Sequence, residues 1–317
     1  MNALLWVSLA SAAPAASPLA EGIRSEWVPE VRLRKRIAHD DAEVVVWYGG
    51  EQEGELGPCG CSTRPEGGVA RVWGWVNANR EILGDCASLL VNPGGWLTTT
   101  LADDGVTFRA DTPIKNAAMI RALAEWDALN ISFRDLPWLD QHGFPRNAVS
   151  ANLSASVGEG PAAFRVVERG ALRIAITGVT ARGLHRLQPE RFTYADPVEA
   201  LRTLVPRMEA DLVVVLAYDT HGLTDELARV PGVDLVVETG EFAHFDPATR
   251  EGTALWARAW KKSQRLGELR LGLTDGQITS ALDRSIPLDE RVKKDSTLAT
   301  LERETGSAVD AVQQALR

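Results

Sequence analysis

Residues 43–61 read EVVVWYGGEQEGELGPCGC. Glu43–Tyr48 is a compact β-branched and aromatic run, the composition of a buried strand. It empties at once into a glycine-rich loop, Gly49–Gly60, which carries Glu51 and Glu53 and ends in a Pro-Cys-Gly-Cys turn. The spacing of Val69, Val72, Trp73 and Val76 then predicts a helix over Gly68–Asn79 with Arg80. A second strand, Ala87–Asn92, stops at Pro93-Gly94-Gly95. Strand, loop, helix, strand is the signature of an α/β protein.

The alternation continues to the end. Helices are predicted over Asn116–Glu125, Asp196–Ala210 and Leu223–Val230, the second with Asp196 as its cap and Pro197 at its first position. Strands are predicted over Ala128–Phe133, Leu172–Val179, Asp211–Ala217 and Asp234–Glu238. Ala254–Trp260 and Gly267–Leu273 alternate like a pair of antiparallel strands. Leu298, Leu301, Val309, Val312 and Leu316 mark an amphipathic helical tail over residues 291–317. Residues 43–290 read as one compact domain without an internal repeat.

The chain has 317 residues, 45% hydrophobic and 24% charged, with a formal charge of −9. That composition excludes a disordered chain, a rod and a small disulfide scaffold. An acidic balance excludes a dedicated nucleic-acid binder, since nothing would neutralise a run of phosphates. Leu4–Ala16 is apolar, and Ala10-Ser11-Ala12 or Ala13-Pro14-Ala15 offers a cleavage site, so residues 1–20 read as a signal peptide. The expected location is therefore periplasmic or secreted, with no transmembrane segment beyond the leader. Residues 21–42, with Arg24, Arg32, Arg34, Lys35 and Arg36, read as a polar lead-in.

The three cysteines are Cys59, Cys61 and Cys86, an odd count for an exported protein. Two readings of Cys59 and Cys61 stand side by side: a redox pair or strained disulfide, and two small residues packed in a turn. No partner Cys or His pair at ligand spacing makes them a zinc knuckle.

Several segments in register resemble the metallophosphoesterase domain of the 5′-nucleotidase and UDP-sugar hydrolase family. The most specific is Gly54-Glu55-Leu56-Gly57-Pro58-Cys59-Gly60-Cys61 followed by Glu66-Gly67-Gly68-Val69-Ala70-Arg71, which looks like the PCGC signature of an exported branch. Supporting segments are Asp127–Ile131, Ser150–Leu153, Ile174–Val179, Ala210–Leu216, Val230–Val237 and Ile286–Asp289. The resemblance implies a four-layer α/β/β/α sandwich of the calcineurin-like metallophosphoesterase type. It also implies a two-metal centre in the loops at the strand ends, where a metal-bound water attacks the phosphoryl group.

The ligand positions that this resemblance implies are altered one after another. The first falls on Glu51-Gln52-Glu53, and the carboxylate that bridges both metals falls on Gly95. The Asn-His pair falls on Phe133-Arg134, the strand-ending His on Tyr218, and the final pair of His on Thr239–Phe242. Without a shared carboxylate, two dications about 4 Å apart would repel by roughly 16 kcal/mol at an effective dielectric of 20. The expectation is a protein that has lost hydrolytic activity, with no cofactor and an unknown protein or small-molecule partner. It would be a pseudoenzyme in a binding or redox-linked accessory role, drawing interest to Cys59 and Cys61. The alternative is a divergent phosphoric ester hydrolase using one divalent ion, held in a rebuilt site by Glu51, Glu53, Asp219, His221, Glu241 and His244. Among the ten tryptophans, Trp96 joins Tyr218 and Phe242 as the candidate wall of a binding groove.

Overall fold

The computed structural model describes residues 23–27, 42–58, 65–84, 86–101, 108–110, 113–181, 192–220, 222–240 and 248–315. In chain order the first half comprises β1 (Ile23–Trp27), β2 (Val44–Tyr48), α1 (Val69–Leu83), β3 (Ala87–Asn92), β4 (Thr99–Leu101), β5 (Phe108–Ala110), α2 (Pro113–Ala122), β6 (Ala128–Asn130) and α3 (Leu136–His142). There follow β7 (Ala148–Val149), β8 (Leu153–Ala155), β9 (Phe164–Arg169), β10 (Leu172–Thr180), β11 (Phe192–Tyr194), α4 (Pro197–Leu204), β12 (Leu212–Tyr218), α5 (Thr224–Ala228) and β13 (Leu235–Thr239). The chain closes with β14 (Thr249–Glu251), β15 (Ala254–Arg258), β16 (Arg265–Thr274), β17 (Gln277–Pro287) and α6 (Ser296–Ala315).

Two mixed sheets carry the architecture. One runs in the order β1-β17-β16-β2-β3-β6-β7 and the other β14-β15-β13-β12-β10-β9. Val44, Val46 and Tyr48 of β2 face the second sheet, meeting Ile174, Ile176, Val214 and Leu216 in the core between the layers. The alternate residues Val45 and Trp47 face outward into a core shared with Val72, Val76, Met119 and Leu301 of α1, α2 and α6. Val213 and Val215 of β12 likewise face Val198, Leu201 and Leu227 of α4 and α5. Both faces of each central strand are thus covered, which is why β2 and β12 read as unbroken apolar runs. The layers are helix, sheet, sheet, helix.

Four expectations need correction. β15 and β16 are not partners: β15 pairs with β13 and β14 in one sheet, whereas β16 pairs with β2 and β17 in the other. The true partner of β16 is β17, across the Asp275-Gly276 turn. The polar lead-in contains β1, which pairs in parallel with β17. Helix α4 is shorter than expected, ending at Leu204 before a 3₁₀ turn over Val205–Arg207, although Asp196 caps it by accepting from the Glu199 N–H. The strand at Ala128 ends at Asn130, where Asn130 and Ile131 turn their carbonyls to Trp96 and Thr180.

Buried charge is concentrated in the β16–β17 hairpin. Glu268 is wholly buried, accepts from the indoles of Trp47 (2.8 Å) and Trp75 (3.4 Å), and faces Arg284 at 3.3 Å and Arg270 at 3.7 Å. On the other sheet Glu238 takes Arg258, the Trp256 indole and the Thr220 hydroxyl, each within 3.1 Å. These tryptophans are therefore tied into the interior by polar contacts as well as packing. No helix among the described residues is long and apolar enough to cross a membrane.

Candidate functional site

The loops at the C-terminal ends of β2, β3, β6, β12 and β13 meet in one place. The first two are zipped by backbone hydrogen bonds: Glu51 N–H to Gly94 O, Glu53 N–H to Gly95 O and Gly54 N–H to Trp96 O, all at 3.0–3.1 Å. Asp135, at the start of α3, fastens the third, accepting from the Gly95 and Leu97 N–H groups and from the Ser132 hydroxyl. Asp219 N–H donates to Thr239 O and joins the last two. Thr239 lies so close to Gly50 that any side chain at position 50 would collide with it, its hydroxyl 2.8 Å from the added carbon.

Strained backbone gathers at this meeting point. Six non-glycine residues among those described adopt positive φ, and five of them, Glu51, Glu53, Asp219, Lys262 and Ser263, belong to these loops or touch them. Lys262 N–H donates to Glu51 O at 2.8 Å, and the Ser263 hydroxyl accepts from Gln52. Left-handed backbone costs a β-carbon-bearing residue of order 1–3 kcal/mol, so the surrounding hydrogen bonds must hold it.

The centre is a buried carboxyl group set between the Phe133 and Tyr218 rings and the Arg134 guanidinium. Glu51 is wholly buried, and neither carboxyl oxygen completes a hydrogen bond of good geometry; the same is true of the buried Tyr218 hydroxyl facing it. Burial pushes the Glu51 carboxyl up to about 8, against the opposing pulls of the Tyr218 hydroxyl and the Arg134 guanidinium. Burial also raises Tyr218, with the Glu51 charge adding to it. Phe133 meets Tyr218 edge to face at 5.4 Å between ring centroids. Arg134 Nη1 stands 3.5 Å from both Glu51 Oε2 and Glu53 Oε1, and Lys262 Nζ lies 3.2 Å from Glu53 Oε2. Two organic cations thus serve the two glutamates.

Gly95 has no room to be anything else. Its φ is +72°, and a β-carbon there would fall 2.6 Å from Glu51 Oε1 and 3.1 Å from the Tyr218 ring. Gly94 is pressed as closely against the same ring.

No family model matches this sequence, and no curated protein does. Solved structures do match. A 5′-nucleotidase precursor from Thermus thermophilus aligns with a TM-score of 0.68 at 20% identity, over 86% of this chain and 60% of that one. The sulfate thiohydrolase SoxB from the same species gives 0.68 at 16% identity, over 84% and 61% of the two chains. The calcineurin-like phosphoesterase YfkN from Bacillus subtilis gives 0.62 at 14% identity, over 84% and 97%. The fold is that of the calcineurin-like phosphoesterases. This chain spans about three-fifths of the length of the first two structures.

Within this fold the sequence-derived positions Glu51, Glu53, Gly95, Phe133, Arg134 and Tyr218 do come together, and Gly240 lies against Asp219 beside them. Trp96 does not line an open groove: it is wholly buried and its indole donates to Asn130 O. Tyr218 is wholly buried too. Cys59, Cys61, His221, Glu241, Phe242 and His244 lie outside the described residues. Cys86 is half-buried, and its thiol donates to Ala42 O. No group of three His, Cys, Asp or Glu able to hold a metal ion occurs among the described residues.

Sequence reasoning misses three participants. Arg134 reads there only as an ill-suited ligand, Lys262 gives no signal 211 residues from Glu51, and Asp135 carries no signal because the helix it precedes is not predicted. Asp135 is the anchor of the Gly95 loop, and burial raises its carboxyl to about 6 despite its hydrogen bonds.

Proposed function

We propose that this protein is a non-hydrolytic relative of the 5′-nucleotidase-type phosphoesterases, exported from the cytoplasm and acting as a binding or redox-linked accessory protein. One observation carries the reading. The resemblance puts the metal-bridging carboxylate's place at Gly95, and the space a side chain would need there is taken by the Glu51 carboxyl and the Tyr218 ring.

A pair of dications needs several charged or imidazole donors around a shared anion. The donors around Gly95 do not fit that demand. Glu51 favours its neutral form near pH 7, and Glu53 is engaged by Arg134 and Lys262. Phe133 and Tyr218 present apolar faces where ions would need solvation. The redox part of the proposal rests on the sequence alone, on the Cys59-Gly60-Cys61 pair beside the site loop.

The test is elemental analysis of the purified protein together with phosphate release from nucleotides and p-nitrophenyl phosphate in the presence of Mn²⁺, Zn²⁺ and Mg²⁺. The expected outcome is no stoichiometric metal and no turnover. Phosphate release that a chelator abolishes overturns the reading in favour of the divergent hydrolase. For the redox role, thiol titration before and after mild reduction should expose two additional thiols; Cys59 and Cys61 fully reduced and unreactive from the start would remove it.

A further inference from the structure

At the other ends of β3 and β6 the two sheets part around a cavity of about 810 Å³. Its wall carries four arginines, Arg80, Arg146, Arg165 and Arg169, against the two carboxylates Glu125 and Asp127. A local formal charge of +2 is notable on a chain whose total is −9. Like charges repel, and a bound anion would offset that repulsion.

The four are not equivalent. Asp127 is 7% exposed and takes two of them: Arg169 directly, and Arg80 at 3.6 Å. Arg80 also reaches the Ser88 hydroxyl, and Arg169 the Ser88 carbonyl. These contacts hold two forks rigid and use the one buried carboxylate. Arg165 and Arg146 are placed differently. Arg165 Nη1 donates to the Arg146 carbonyl at 2.6 Å, while its Nε is buried and has no acceptor. Trp126 lines the same cavity, is 2% exposed, and its indole N–H likewise has no acceptor. Both of these donors are shielded from solvent, so the contacts open to a ligand fall to the outer guanidinium nitrogens of Arg165 and Arg146 at the cavity wall.

We propose that this cleft binds a small oxyanionic ligand, a molecule bearing carboxylate or phosphate groups, with Arg165 and Arg146 as its charge partners and the Asp127-braced Arg80 and Arg169 as the fixed wall behind. The planar guanidinium fork suits both groups, because each offers two coplanar or near-coplanar oxygens. The volume suits a metabolite-sized molecule. This site shares no residue with the Glu51 cluster and stands whether or not that cluster hydrolyses anything.

The test is calorimetric titration of the whole protein at low ionic strength with three probes: inorganic phosphate, pyrophosphate and citrate. At least one should bind saturably. Response to citrate alone identifies a carboxylate ligand, and response to the phosphates alone a phosphorylated one; either supports the site. Arg165→Gln and Arg146→Gln should each weaken binding tenfold or more, while Arg202→Gln, an exposed residue on α4, should leave it unchanged. Arg146 is exposed, so its variant remains informative even where Arg165→Gln does not fold. Absence of saturable binding by all three probes, or equal affinity in wild type and Arg146→Gln, overturns the proposal.

Discussion

Glu51 Oε1 lies 2.6 Å from the point where a β-carbon on Gly95 would stand. The two positions therefore exclude one another: the carboxyl can occupy the centre only while residue 95 is a glycine. Restoring a carboxylate at 95 is accordingly expected to fail. Gly95→Asp combines left-handed backbone with a clash against Glu51 and Tyr218, and should cost about 2–5 kcal/mol of stability in urea denaturation. Gly95→Ala should carry most of that cost, because the β-carbon is the offender. Neither should gain metal-dependent phosphate release; a folded, hydrolytically active Gly95→Asp would contradict the packing described.

How much of this was legible follows from where charge is buried. β2 and β12 announce themselves because both faces of each strand meet apolar layers, so every position is hydrophobic. β17 does not: Asp283 and Arg284 interrupt its pattern, yet both are buried and partnered across the sheet, by Tyr48 and Glu268. A strand whose core is partly ionic has no periodicity to read, and its true pairing with β16 was lost with it. At the candidate site the five loops could be placed through the family resemblance, which sets a ligand position at each of them. What filled them could not. The Arg134–Glu51 and Lys262–Glu53 pairs join residues far apart in sequence and depend on side-chain reach, for which no local pattern exists.

The buried glutamate of the hairpin gives a second prediction. Glu268 compensates two guanidiniums and two indole donors. Replacing a buried ionic partner strands the opposite charge, typically at about 3–5 kcal/mol. Glu268→Gln should therefore lower the midpoint of urea unfolding strongly without changing its slope. Glu199→Gln, which removes an exposed i,i+3 pair with Arg202, should have almost no effect.

Asn130 supplies a third. Its amide donates to Pro93 O and Val179 O, each at 2.9 Å, so one wholly buried side chain stitches the Gly94–Gly95 loop of one sheet to β10 of the other. Asn130→Ala leaves both carbonyls unmet and opens a small void. A loss of about 2–4 kcal/mol is expected. Amide exchange should speed up most in the loop after β3, where Gly95 and Leu97 N–H otherwise bond Asp135. Uniform acceleration across the molecule would mean that Asn130 does not act locally.

The last prediction concerns pH. Glu51 has its carboxyl raised to about 8, and Asp135 and Asp283 have theirs raised to about 6, in each case first by burial. A raised carboxyl pKa means that the folded state binds the proton more tightly than the unfolded chain, whose carboxyls titrate near 4. The stabilisation is complete below that value and is lost as pH rises through the folded pKa. Stability should thus decline between about pH 4 and pH 8, the aspartates contributing up to about pH 6 and Glu51 alone above it. Glu51→Gln keeps the shape and removes the proton. In denaturation series at fixed ionic strength it should flatten the curve between pH 6 and pH 8 and reduce, without abolishing, the fall between pH 4 and pH 6, where the two aspartates still contribute. Should the variant track the wild type across the upper interval, the carboxyl at the centre of the five loops is ionised already and burial does not raise it as described.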